Sequence, residues 1–323
     1  MKQFLSYCGS VFVVSILLAG LFVYFFGQKS DQKEQSVSPL PEFLTLRSNG
    51  QATLLDFWLP MIQQTHGNGI ELPMLSAKSI LMYDLSTDKT IYEKYAKTRR
   101  PMASLTKIMT AIVSMENQRT DDKYYVKEES LVGEDSMGLE SGEILSLHEL
   151  LYGLMLPSGN DAAEVLASNY PEGRTAFIKA MNDKAKALGL SDTHFSNPSG
   201  LQGDGVQYTT AYDLLVITRY ALETYPLFKD IVSQPAHSLS ATATHKAYDL
   251  VNETNLLTTY AGVKGVKTGY TPEAGMCLVT YINYNGHEII GIILNSENRR
   301  IEMKELLDFS LKSLGIEPPE YTG

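Results

Sequence analysis

Three short strings in this chain put hydroxyls, amines and an amide at spacings that could do chemistry. In "PMASLTKIMT", Ser104 and Lys107 stand three positions apart inside an apolar run. On a helix, positions i and i+3 share a face, so hydroxyl and amine can touch. A serine in the first turn sits where unpaired backbone N–H groups favour negative charge. The apolar neighbours of Lys107 would lower its pKa by burial, which fits an amine that accepts the serine proton. The S-x-x-K pattern alone is weak: Ser30/Lys33 and Ser86/Lys89 repeat it in polar stretches, as solvated residues. In "LPSGNDAAEVLA", Ser158 and Asn160 occupy a break between helices, where helix capping is the plainer explanation. Ser296 and Asn298 repeat that spacing elsewhere.

"GVKTGYT" carries the third group. Lys267 and Thr268 precede Gly269 in a strand-like segment. A glycine there lets a peptide backbone approach an edge strand, and a lysine beside a hydroxyl suits a terminal carboxylate. The bland reading is a glycine-rich hairpin with a surface lysine. A phosphate loop is excluded, since no Gly-Lys pair ends the run. Strict alternation would put Lys267 and Thr268 on opposite faces, so the strand must twist or Lys267 must curl round it.

The elements that must position these groups are mostly legible. "AKSILMYDLSTDKTIYEKY" reads as a hairpin turning at Ser86–Lys89. A helix begins near Ala103, after Pro101. "LHELLYGLMLPSGNDAAEVLASNY" reads as two helices broken at Pro157, and "RTAFIKAMNDKAKALGL" and "TTAYDLLVITRYALETY" read as two more. The last third turns to strands around Asn285–Gly286, then a closing helix over about Asn298–Leu314. An early hairpin, central helices and late strands predict an α/β (α+β) body in which both ends of the chain share one antiparallel sheet.

Composition sets the outer bounds. The chain has 323 residues, 44% hydrophobic and 20% charged, with a formal net charge of −10. That is enough for a sizeable core, and an acidic chain without a basic stripe argues against nucleic-acid binding. The two cysteines are Cys8 and Cys277, so the body has no internal disulfide and no cysteine metal site. Residues 3–28 carry no charge. We expect a short cytoplasmic N-terminus over 1–10, an uncleaved transmembrane anchor over 11–27 and a linker over 28–70. The catalytic body would then cover 71–316, outside the cytoplasmic membrane, with a tail over 317–323. "HELLYG" at His148 and "HEIIG" at His287 lack the second histidine of a zinc peptidase, and no G-x-S-x-G elbow exists.

S-x-x-K, S-x-N and K-T-G in that chain order form the set shared by penicillin-binding proteins and class A β-lactamases. With "SMGLESGE", "MNDKAKALGLSDTHFSNPSGL", "YTTAYDLL" and "GVKGVKTGYTPEAG", the chain from about Lys78 to Leu314 resembles the D-alanyl-D-alanine carboxypeptidase family of low-molecular-mass penicillin-binding proteins. The resemblance implies the penicillin-binding, serine β-lactamase-like fold: an antiparallel sheet flanked by helices, plus a mostly helical subdomain. It implies Ser104 as nucleophile and Lys107 as base. Ser158 would relay a proton, and Asn160 would hold the substrate amide and orient Lys107. Lys267, Thr268 and Gly269 would bind the substrate terminus, and backbone N–H groups of Ser104 and Tyr270 would form an oxyanion hole. An arginine near the substrate carboxylate is also implied; Arg299 is in register for it, with Arg300 adjacent. The implied partners are a peptidoglycan stem peptide ending in D-Ala-D-Ala and, as covalent inhibitors, β-lactams. No metal or organic cofactor is implied. A β-lactamase would need an E-x-x-L-N loop, which is missing. A DD-endopeptidase with the same motifs, and a catalytically silent wall-binding or sensor module, are the alternatives.

Overall fold

The computed structural model describes Pro60 and residues 70–321. The predicted anchor over 11–27, its N-terminal flank and almost all of the 28–70 linker lie outside the described residues. Among those described, no helix is long and apolar enough to cross a membrane.

"SILMYD" is buried along its whole length, as expected of a strand covered on both faces. It forms β1 (Ser79–Asp84), which turns into β2 (Lys89–Lys94). The Asp84 carboxylate closes that turn, accepting from Ser86 N at 3.0 Å and Thr87 Oγ1 at 2.8 Å. Next comes a single 3₁₀ turn over Ala103–Leu105, then α1 (Thr106–Glu116). Every α1 residue from Thr106 to Ser114 is buried, which marks a central helix rather than a surface one.

A two-residue strand pair, β3 (Tyr124–Tyr125) and β4 (Ile144–Leu145), precedes a run of helices. These are α2 (Leu147–Met155), α3 (Asn160–Ser168), α4 (Arg174–Ala187), α5 (Ala211–Thr224) and α6 (Pro226–Val232). Ser146 and Glu149 close a reciprocal capping box at the start of α2, and Thr210 caps α5. A small hairpin, β5 (Ala236–Leu239) with β6 (Tyr248–Val251), and the short helix α7 (Leu256–Thr259) follow. The chain ends in β7 (Val263–Thr271), β8 (Gly275–Tyr284), β9 (His287–Ser296) and α8 (Arg299–Ser313).

Sheet order is β2-β1-β9-β8-β7, with every neighbouring pair antiparallel. The early hairpin and the late strands thus share one sheet, and β7 is an outer strand. Alternation splits the side chains between two cores. Leu81, Tyr83, Val279, Tyr281 and Ile292 face the helical mass built on α1 to α5. Ile80, Met82, Leu278, Ile282 and Ile293 face α8 through Met303, Leu306 and Leu307. The predicted α+β architecture, sheet plus helical subdomain, is the one observed.

Four local differences stand out. The helix expected from Ala103 begins as an α-helix only at Thr106, because Ala103 takes a left-handed backbone (φ 49°). The helix ending near Tyr225 is followed at once by α6, started by Pro226 at its first position. The β5–β6 hairpin joins two four-residue strands through a long loop without an Asn-Gly or Asp-Gly signal. Near the chain's end Tyr321 bridges Tyr260 and accepts from Arg300 Nε at 2.7 Å, so that part of the expected tail packs on the body.

Candidate active site

The 3₁₀ turn lifts Ser104 into a narrow gap between β7 and the loop at 197–200. Two glycines make the gap possible. A Cβ on Gly200 (φ +92°) would sit 2.1 Å from Ala103 O, and one on Gly269 would sit 3.1 Å from Ser104 N. Gly269 therefore makes room for the serine turn itself, rather than for the approaching peptide that the sequence predicts there. Asn197 shapes the opposite wall, its Oδ1 accepting from Gly200 N at 2.7 Å.

Lys107 is fully buried, and its Nζ touches three oxygens: Ser104 Oγ at 3.0 Å, Asn160 Oδ1 at 2.6 Å and Ser199 O at 2.8 Å. Two of these can only accept. A neutral amine has two N–H donors, which serve Asn160 Oδ1 and Ser199 O, and a lone pair, which is left facing the Ser104 hydroxyl. The environment favours that neutral form. Burial, then the positive charge of Lys267, hold the Lys107 pKa well below the ordinary lysine range, against an opposing pull from Asp135, Glu253 and Asp161.

Ser158 sits in the break between α2 and α3, as expected at Pro157, and Asn160 opens α3. Ser158 is strained (φ 63°) and its buried Oγ has no hydrogen-bond partner among the described residues. Such unpartnered, strained polar groups concentrate at functional sites. Asp161 anchors the facing loop, accepting from Met137, Gly138 and Leu139 N at 3.0 Å each and from the Ser136 hydroxyl. Asn160 N donates to Asp135 O at 2.7 Å, completing the clamp.

On β7 the cross-strand partners alternate, yet the tips of Lys267 and Thr268 converge on one oxygen, Glu253 Oε2, so a side chain does curl round the open edge. Lys267 pairs across the sheet with Val279, of the helical core, and its ammonium lies near Lys107. Burial and Arg299 lower its pKa, while Glu253 opposes them, and the net result is about 8. Thr268 pairs with Leu278, of the α8 core, and lines a pocket of about 180 Å³ with Glu253, Leu278, Asn298, Arg299 and Arg300. Arg299 Nη1 donates to Gly269 O at 2.7 Å, whereas the Arg300 guanidinium donates to Tyr321. Of the two adjacent arginines, Arg299 is the one aimed at β7. Tyr270, half exposed, follows Gly269 on the same outer strand.

Four contributors escaped the sequence reading: Ser199, Gly200, Asp161 and Glu253. Asn197 and Gly200 in "SNPSGL" signal a tight turn, but nothing in the string says that its carbonyl meets a lysine. Among the described residues no cluster of His, Cys, Asp and Glu could hold a metal ion.

A serine hydroxyl facing a buried amine, beside a lysine-bearing outer strand on a five-stranded antiparallel sheet, defines a serine peptidase of the penicillin-binding fold. The chain belongs to the D-alanyl-D-alanine carboxypeptidase family, whose model matches residues 66–298. It is 33% identical over 251 residues to D-alanyl-D-alanine carboxypeptidase DacF of Bacillus subtilis, covering 75% of this chain and 64% of that one. It is 35% identical over 231 residues to a D-alanyl-D-alanine endopeptidase of Escherichia coli, covering 69% and 73% respectively. The crystal structure of the Streptomyces K15 DD-transpeptidase superposes with a TM-score of 0.70 at 33% identity, covering 75% of this chain and 100% of that one.

Proposed function

We propose that the protein is a serine-type D-Ala-D-Ala carboxypeptidase, removing the terminal D-alanine from peptidoglycan stem pentapeptides through an acyl-enzyme on Ser104. The observation that carries this reading is the contact set of Lys107, which leaves a lone pair for one hydroxyl alone. Ser104 Oγ attacks the penultimate D-alanine carbonyl while its proton passes to Lys107. The developing oxyanion is held by the backbone N–H groups of Ser104 and Tyr270; losing one such donor costs about 3–4 kcal/mol of barrier. The C–N bond then breaks, and the proton travels through Ser158 to the leaving amine, which departs as D-alanine. Water, deprotonated by Lys107, which is neutral again, hydrolyses the ester and regenerates Ser104. Asn160 orients Lys107 and holds the substrate amide, and Lys267, Thr268 and Arg299 bind the terminal carboxylate. β-Lactams would acylate Ser104 by the same attack. The uncharged run over 3–28 supports an N-terminal anchor, with the body outside the cytoplasmic membrane.

A DD-endopeptidase would use the same residues, and the relative of that name favours keeping it as the second reading. The full-length chain, incubated with fluorescent penicillin, should label covalently and release D-alanine from a D-Ala-D-Ala pentapeptide. Ser104→Ala should abolish both. Labelling that persists in Ser104→Ala refutes the assignment; cleavage of a cross-linked dimer without D-alanine release selects the endopeptidase.

A further inference from the structure

The pocket beside Thr268 contains a charge that the proposed substrate should not want. Glu253 Oε2 accepts from Thr268 Oγ1 at 2.8 Å and lies 3.9 Å from Lys267 Nζ. Both partners are groups assigned to the substrate's carboxylate. The placement of Glu253 is fixed by its backbone: its N–H donates to Leu156 O at 3.1 Å, just before the Ser158 break. Asn252, one residue earlier, is pinned through Nδ2 to Val232 O and Gln234 O. The side chain is 40% exposed, and beyond steadying the charge of buried Lys267 no demand of the core explains an acid here. Arg299 and Arg300 supply the pocket's positive charge, and Asp135 adds a second negative charge felt by Lys107, Lys267 and Arg299.

We propose that Glu253 is a specificity-determining residue, which disfavours a bare terminal carboxylate and favours a terminus carrying hydrogen-bond donors, such as a carboxamide or a continuing peptide N–H. The inference rests on the carboxypeptidase reading of this site and qualifies it: Lys267, Thr268 and Arg299 still bind a terminal carboxylate, but Glu253 makes it a slower substrate than its carboxamide. An incoming carboxylate must take Thr268 and Lys267 from Glu253 and then sit beside it, like charge against like charge. A carboxamide can instead donate to the Glu253 carboxylate while Thr268 and Arg299 bind its oxygen. Two carboxylates a few ångströms apart in a half-exposed pocket repel by an amount that converts to roughly tenfold in kcat/KM.

The test compares two peptides, identical except that one ends in D-Ala-D-Ala with a free carboxylate and the other in its C-terminal carboxamide. Hydrolysis is followed by release of D-alanine or D-alaninamide from the full-length chain, from Glu253→Gln and from Glu253→Ala. Gln removes the charge and keeps an acceptor for Thr268; Ala removes both. The acid-to-amide ratio of kcat/KM should rise about tenfold in both variants, and penicillin, which carries a carboxylate, should label both faster. An unchanged or lower ratio in Glu253→Gln, with penicillin labelling retained, overturns the proposal. A shift in Glu253→Ala alone also overturns it, by assigning the effect to the lost hydrogen bond. A wild-type chain that neither labels nor hydrolyses either peptide instead sinks the carboxypeptidase reading beneath it.

Discussion

At the scale of the residue, two lysines must hold opposite charge states within one cleft. Lys107 works as a base only when neutral, so acylation should rise with pH as its depressed pKa is passed. Lys267 works as an anion binder only when charged, so acylation should fall again as pH climbs through about 8. The expected profile of kcat/KM for the free enzyme is a bell whose alkaline limb lies near pH 8. Second-order acylation rates with a fluorescent penicillin between pH 5 and pH 10 would measure it. A profile still rising at the top of that range contradicts the role given to Lys267. Lys107→Arg cannot mimic the neutral amine and should lose acylation by more than about 10³-fold, with the fold intact by circular dichroism.

At the scale of the element, the serine turn is held between two backbones that tolerate substitution differently. Gly200→Ala collides with Ala103 O and is strained by its positive φ, so it should displace Ser104 and cut acylation by about a hundredfold. Gly269→Ala meets Ser104 N at 3.1 Å, a contact that a small shift relieves, and should cost far less. Equal losses in the two variants would contradict this ranking. Asp161→Ala leaves three backbone N–H groups and the Ser136 hydroxyl without their acceptor. It should lower unfolding free energy by at least about 2 kcal/mol in urea melts and slow acylation too, because the same loop holds Asn160. Much of this scale was legible in the sequence. The turns at Ser86–Lys89 and Asn285–Gly286, the break at Pro157 and the start of the closing helix near Asn298 all have local chemistry that a string records. What could not be read is tertiary. The left-handed Ala103 is imposed by close-packed backbones, and the convergence of Lys267 and Thr268 on Glu253 appears only once β7 is the open edge of a folded sheet. Arg299 and Arg300 differ by what stands opposite them, Gly269 O or Tyr321, and a sequence does not state that.

At the scale of the whole molecule, a buried pair ties α1 to α4. Lys184 Nζ lies 2.6 Å from Glu116 Oε1, with both side chains almost fully buried, and Tyr225 also donates to that oxygen. Glu116→Gln would strand the Lys184 cation and should cost about 3–5 kcal/mol of stability. Glu116 ends α1 while Ser104 precedes its start, so penicillin acylation of the folded fraction should stay near the wild-type rate. Loss of acylation at full folding would show that the two ends of α1 are coupled.

The sheet order carries a final consequence. β7 is laid against β8 on one side and the serine turn on the other, so Lys267, whose charge adds to burial in keeping Lys107 neutral, comes from a strand made after helices α1 to α7. A ribosome-bound or truncated polypeptide that lacks β7 would hold a serine and a lysine with no reason to react. Full competence thus waits until β7 has been made and paired.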